Sequence, residues 1–195
     1  MVNLLNRIKS AVLEVLKDTP KLNSFKLSKL FGYEIEPLTK ECDLQKVEPI
    51  VPHLDLSELS GYQIASFIKG YDLEKFKLIK HHLDLGKLSE LSDYEIASLI
   101  EKWDLEKFKL IKHHLDLGKL SELFYYEIAS LIEKCDLEKF KLIEHHLDLG
   151  KLSELSGYEI ASLIEKCDLE KFKLIEHHLD LSKLIKLSGD RIASL

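Results

Sequence analysis

The sequence predicts an all-α fold, an α-solenoid of tandem ~32-residue helical-hairpin repeats in which a short helix, a longer helix and a brief 3₁₀ or one-turn connector recur. Three observations carry this expectation. The stretch from Asp104 to Cys135 recurs as Asp136 to Cys167 with changes at only three of 32 positions, and Asp72 to Trp103 also differs from it at three. Within each copy the apolar residues fall three and four apart, the period of a helix. No alternating pattern of the kind a strand needs survives in the regular copies.

Taken in order, residues 2–18 place Leu5, Ile8, Val12 and Val15 or Leu16 on one face, which predicts an amphipathic capping helix. Thr19-Pro20 ends it, because the residue before proline is pushed out of the helical region. Residues 1–26 therefore form a capping helix and linker. Residues 27–71 hold degenerate repeats, beginning at Leu27-Ser28-Lys29-Leu30, and the proline-rich start of the chain (Pro20, Pro37, Pro49, Pro52) shortens or kinks helices there. Residues 72–195 hold the regular repeats. The tyrosines Tyr33, Tyr62, Tyr94, Tyr126 and Tyr158 mark successive copies, with Asp190 in the sixth place.

In the copy starting at Tyr94, the short helix turns Ile96, Leu99, Ile100 and Trp103 to one face. Its start is signalled by Ser92-x-x-Glu95, as by Ser60-x-x-Gln63 and Ser156-x-x-Glu159 in other copies. In such a capping box the hydroxyl accepts from the third amide while the acid or amide reaches back. The longer helix, from Asp104 as N-cap through His113-His114 to Leu117, directs Leu105, Phe108, Ile111 and Leu115 inward, with Leu110 and Leu117 widening the stripe. The connector carries Leu117, Leu120 and Leu123 and is expected to be capped by Asp116. The chain reaches Leu195 inside another short helix, so self-association through an open C-terminal repeat is one expectation.

Composition bounds the function. With 28 Lys plus Arg against 34 Asp plus Glu, the net charge is -6, which disfavours a phosphate-binding surface. Only Arg7 and Arg191 are arginines, leaving almost no candidate for bidentate base or phosphate recognition. No apolar run is long enough for a signal peptide or membrane span, so a soluble, intracellular, by default cytoplasmic protein is expected. Cys42, Cys135 and Cys167 share one repeat position. Helices of adjacent repeats pack ~8 to 10 Å apart, beyond the roughly 7 Å Cα limit of a disulfide, so free thiols are expected.

No motif carries catalysis. The pairs His81-His82, His113-His114, His145-His146 and His177-His178 lack the i, i+4 spacing of a helical zinc site, and the expectation is one packed, hydrogen-bonded histidine beside one on the surface. Ser98, Ser130 and Ser162 have no strained elbow or associated base, and no glycine-rich phosphate loop is present. The chain is therefore expected to be no enzyme and to need no cofactor or metal.

Differences between copies point elsewhere. The turn after the short helix carries Tyr71, Trp103, Cys135 and Cys167; the start of that helix carries Ser60-Gly61, Ser92-Asp93, Phe124-Tyr125 and Ser156-Gly157; the longer helix carries Lys80, Lys112, Glu144 and Glu176. Tyr71, Trp103, Phe124, Tyr125, Cys135 and Cys167 are the candidate partner-binding residues, the aromatics being able to anchor a protein or peptide. The alternative is that they fill gaps between repeats.

Read from Leu155, the repeat LSGYEIASLIEKCDLEKFKLIEHHLDLGKL resembles the two-helix repeats of transcription activator-like effectors, whose variable pair lies at the twelfth and thirteenth places, here Lys166 and Cys167. The resemblance implies base-reading turns at Gly70-Tyr71, Lys102-Trp103 and Lys134-Cys135. The family's Gly-Gly after the pair is replaced by Asp104-Leu105, Asp136-Leu137 and Asp168-Leu169. The helix order is also similar to mitochondrial transcription termination factor repeats, without their proline. The first expectation is a non-enzymatic scaffold for protein-protein or protein-peptide interaction, and the second a nucleic-acid-binding array of effector type.

Overall fold

The computed structural model describes residues 43–48, 51, 56–57 and 59–187. The expected capping helix over 2–18, the four prolines, Cys42, most of the first degenerate repeat and the last partial repeat from Ser188 lie outside the described residues. The chain divides into two compact bodies, Met1–Glu90 and Leu91–Leu195.

The fold is an all-α solenoid of repeats about 32 residues long, with no strand among the described residues. In the first body, α1 spans Leu44–Val47, α2 Gly61–Gly70 and α3 Leu73–Ile79, followed by 3₁₀ turns at Lys80–His82 and Leu85–Glu90. The second body repeats that order. Its α-helices are α4 (Asp93–Lys102), α5 (Leu105–Ile111), α6 (Tyr125–Lys134), α7 (Leu137–Ile143), α8 (Gly157–Lys166) and α9 (Leu169–Ile175). A pair of 3₁₀ segments follows each of α5, α7 and α9: Lys112–His114 with Leu117–Glu122, Glu144–His146 with Leu149–Glu154, and Glu176–His178 with Leu181–Lys186.

The first helices α4, α6 and α8 pack in succession, and so do the second helices α5, α7 and α9. Each first helix also rests on the later 3₁₀ segment of its own repeat, α4 on Leu117–Glu122 and α8 on Leu181–Lys186. The core is the inward stripe the periodicity predicts. Ile96, Ile100, Phe108, Ile111, Leu120, Leu123, Ile128, Ile132, Phe140 and Ile143 are all fully buried.

The starts of the helices follow their caps. Ser60, Ser92 and Ser156 each accept from the amide three residues on, while Gln63, Glu95 and Glu159 accept in return from the cap amides. Asp72, Asp104, Asp136 and Asp168 open the second helices by accepting from the third amide at 2.8 to 3.0 Å.

The second half of each repeat departs from expectation. The second helix is the shorter one: α5 stops at Ile111, whose φ of -120° leaves the helical ladder, and Lys112–His114 winds on as 3₁₀. The tighter winding brings Leu115 into the core and leaves Leu110, expected to widen the stripe, 36% exposed. Asp116 makes no side-chain cap bond to the following 3₁₀ segment. No histidine of the four pairs is fully buried: both rings of the first two pairs are exposed, whereas His146 and His178 are half-buried beside the exposed His145 and His177, the rings of His145 and His146 lying 4.1 Å apart.

Lysine links successive repeats. Lys139 and Lys171 are only 4% exposed. Lys139 Nζ donates to the carbonyls of Ile100 and Trp103 at the end of α4, both at 2.8 Å, and lies 3.3 Å from Asp136. Lys171 treats the end of α6 identically, donating to Ile132 O and Cys135 O at 2.8 and 2.9 Å beside Asp168. A second set works from the connectors, Lys151 donating to Ser121 O and Leu123 O, and Lys183 to Ser153 O and Leu155 O. Carbonyls that a helix end leaves unpaired thus receive a cation from the neighbouring repeat.

Lys139→Met leaves the Ile100 and Trp103 carbonyls buried without a donor and is expected to cost about 2 kcal/mol, against less than about 0.5 kcal/mol for the surface change Lys141→Met. Urea unfolding checks this through a lowered midpoint at unchanged slope.

Acid should loosen the second helices. The amide hydrogen bond from Lys171 holds the Asp168 carboxyl below its ordinary 3.8, against a smaller opposing effect of burial. Burial opposes ionisation of Asp104, yet the amide and ammonium of Lys107 together hold it below 3.8 as well. A folded pKa below the unfolded one stabilises above the unfolded value, and that stabilisation disappears as pH falls through the folded one. Thermal unfolding followed from about pH 6 to about pH 2 should therefore lose less stability in the double variant Asp104→Asn/Asp168→Asn, since asparagine caps without titrating.

Candidate functional site

A helix that buries one stripe must expose another, and in α4 the outward stripe is Tyr94, Ser98, Glu101 and Lys102. The same places in α6 are Tyr126, Ser130, Glu133 and Lys134. Because the first helices pack in register, these residues form rows. Lys134 lies 3.3 Å from Glu101 of the preceding repeat, and Lys166 lies 3.1 Å from Glu133. Between α4 and α6 the rows enclose a cleft of about 380 Å³, walled by Tyr94 and Tyr126 and floored by Ala97, Ser98 and Ser130, with Glu101, Lys102, Glu127 and Lys134 at its edges.

The tyrosines stand out from this face. Tyr94 is 66% and Tyr126 52% exposed. At α6 two further aromatics join them. Phe124, 61% exposed, stacks on Tyr126 at 5.7 Å with ring planes 4° apart, and Tyr125 meets Tyr126 edge-on at 5.4 Å. Phe124 occupies the N-cap place that serine holds at Ser60, Ser92 and Ser156. A phenyl ring has no oxygen, so only the return bond survives, from Phe124 N to Glu127 Oε2 at 2.8 Å. The repeat has lost half a capping box and gained an exposed ring.

The six candidates from the sequence separate into two groups. Tyr71, Trp103 and Cys135 are at most 3% exposed and occupy the core behind the turn, where they fill space between helices. Trp103 is the largest fully buried side chain described, and its indole N–H has no acceptor. Cys167 is half-buried. Burial pushes the Cys135 thiol up to about 11 and raises that of Cys167, so neither is a ready nucleophile. Phe124 and the half-buried Tyr125 belong to the outward face and are brought together with the cleft.

Sequence reasoning did not bring Tyr94, Tyr126, Ser98 and Lys102 together as one face: the tyrosines served only as markers of the repeat, Ser98 was weighed only as a nucleophile and Lys102 only as part of a variable turn. The signal was present: they sit at i, i+4 and i+8, opposite the buried stripe. Among the described residues no three His, Cys, Asp or Glu side chains gather to hold a metal. No described helix is long and apolar enough to cross a membrane. No protein-family model, curated protein or solved structure matches the chain.

The two groups should respond oppositely to substitution. Trp103→Ala opens a cavity in the core and is expected to cost about 3 to 5 kcal/mol. Phe124→Ser restores the missing cap and should stabilise by about 1 kcal/mol. Denaturant melts of the two variants beside the parent check both signs.

Proposed function

We propose that the chain is a non-enzymatic, intracellular repeat scaffold that binds a protein or peptide through the outward face of its first helices, centred on the cleft between α4 and α6. The observation that carries this reading is the aromatic group at the start of α6, where the exposed Phe124 and the half-buried Tyr125 pack against Tyr126, itself exposed and a wall of that cleft. A capping serine is stabilising and soluble, whereas an exposed phenylalanine in its place is neither. Local rules are broken in this way where a surface is used. Aromatic side chains are also the commonest anchors of protein interfaces.

The nucleic-acid reading of effector type draws its support from the order of helices alone. Two of the places where that family varies hold Trp103 and Cys135, both buried here, and the net charge of -6 opposes a phosphate backbone. Catalysis has equally little to work with, since the cleft offers hydroxyls and ion pairs but no activated base.

Selection of a displayed random-peptide library on the immobilised chain tests the proposal. Binders should be enriched, and those binders should be lost on the folded double variant Phe124→Ser/Tyr126→Ala, whose circular dichroism matches the parent. Enrichment of sequences that bind parent and variant equally would place recognition elsewhere and overturn the assignment.

A further inference from the structure

The kind of partner is written in what this face lacks. Recognition by strand addition needs unpaired backbone groups, and the walls of the cleft are helices whose amides and carbonyls bond to each other. Recognition of an amphipathic helix needs a continuous apolar trough, whereas the floor here is Ala97 between the serines Ser98 and Ser130. A buried small molecule needs enclosure, and the walls are tyrosines more than half exposed.

What the face does offer is flat aromatic surface with hydroxyl donors beside it. Phe124 and Tyr126 present near-parallel rings, and Tyr94 stands across the cleft from Tyr126. A polyproline II segment is complementary to such a surface. It is extended, it packs its pyrrolidine rings on aromatic faces, and its carbonyls are free to accept hydrogen bonds because it makes none internally.

Charge adds a second term. Glu101 pairs with Lys134, and Glu127 is turned back to the amide of Phe124. Lys102 donates to Ser98 Oγ at 2.6 Å and has no carboxylate partner among the described residues. The cleft therefore carries a cation without a carboxylate partner, Lys102 in the last turn of α4, and a carboxylate bonded only to a neutral amide, Glu127 in the first turn of α6, so its charge is polarised along the helices rather than net positive.

We propose that the face formed by Phe124, Tyr126, Tyr94 and Lys102 binds a proline-rich peptide in the polyproline II conformation, with an acidic side chain of that peptide set against Lys102. This inference rests on the scaffold reading above and specifies its ligand class. The aromatic rings supply contact area, the hydroxyls of tyrosine and serine meet the peptide carbonyls, and Lys102 sets the direction in which the peptide lies.

The test is fluorescence anisotropy of the full chain with three labelled peptides: a polyproline peptide with one central glutamate, the same peptide with lysine in that place, and a glycine-serine peptide keeping the glutamate. The glutamate polyproline should bind at least about tenfold more tightly than the glycine-serine peptide, because it enters already extended. Phe124→Ser, which leaves the helix better capped, should weaken it by about tenfold or more, as loss of an aromatic anchor does. Lys102→Glu should reverse the preference between the glutamate and lysine peptides. Equal affinity for the polyproline and glycine-serine peptides, or full affinity in Phe124→Ser, overturns the proposal. If the library selection yields binders without proline that still depend on Phe124 and Tyr126, the scaffold reading stands and this ligand class fails alone.

Discussion

The second body of this solenoid depends on lysine ammonium groups that cross from one repeat to the end of a helix in the preceding one. Each first helix ends with carbonyls that its own ladder cannot satisfy. In α4 and α6 these carbonyls face inward, where water does not reach, so the donor must come from the protein. Lys139 and Lys171 supply it. An ammonium has three donors, and Lys139 has three acceptors around it, Ile100 O, Trp103 O and the Asp136 carboxylate. The buried charge is fully matched, which is the condition for its being tolerated at all. A guanidinium carries five donors in a planar fork, two more than this site can use, and arginine is nearly absent from the chain.

That arrangement explains why the sequence Asp-Leu-Glu-Lys-Phe recurs unchanged while other places vary. The aspartate caps its own helix and balances the lysine, the lysine closes a helix of the neighbouring repeat, and the phenylalanine fills the space between them. Changing any one disturbs two repeats. The connector lysines Lys151 and Lys183 act similarly on the preceding connector, so neighbouring repeats in this body are tied at two levels by bonds from side chain to backbone. Such bonds do not depend on which side chains the acceptor residues carry. Trp103 and Cys135 can therefore differ in size while offering the same carbonyl oxygen.

Much of the fold was legible in the sequence because the signals for it are local. Ser92 and Glu95 stand three residues apart, and so do Asp104 and the amide it caps. Ile96, Ile100 and Phe108 declare a buried face by their spacing. The lysines were not legible, since their acceptors lie 36 and 39 residues away and lysine reads as surface by composition. The early end of α5 was missed for a related reason: Leu110 belongs to a perfectly periodic helix pattern, and only the need to seat Leu115 and Leu120 in the core decides that the ladder tightens at Lys112. At the candidate site, substitution between copies flagged Phe124 and Tyr125, which are outward, and equally Tyr71 and Trp103, which are core. Aromatic identity is common to both groups. What separates them is position relative to the buried stripe, Trp103 falling in line with Ile96 and Ile100, and Phe124 falling before the helix begins.

The two kinds of variable place thus have different physical meanings. Behind the turn, Tyr71, Trp103 and Cys135 change the volume of the core, and each copy accommodates its own residue by packing. At the start of the first helix the constraint is the backbone of the same repeat's connector: a Cβ on Gly157 would stand 2.6 Å from Lys183 O, so a side chain there requires the chain to move apart. Asp93 and Tyr125 occupy that place in the intervening repeats. Tyr125 comes with Phe124, and together they convert a capped, polar helix start into an aromatic ledge. A change that gives up a cap and exposes a phenyl ring is not one that packing would select. Because the lysine bonds hold the repeats together through backbone atoms, the outward face is free to bear that cost.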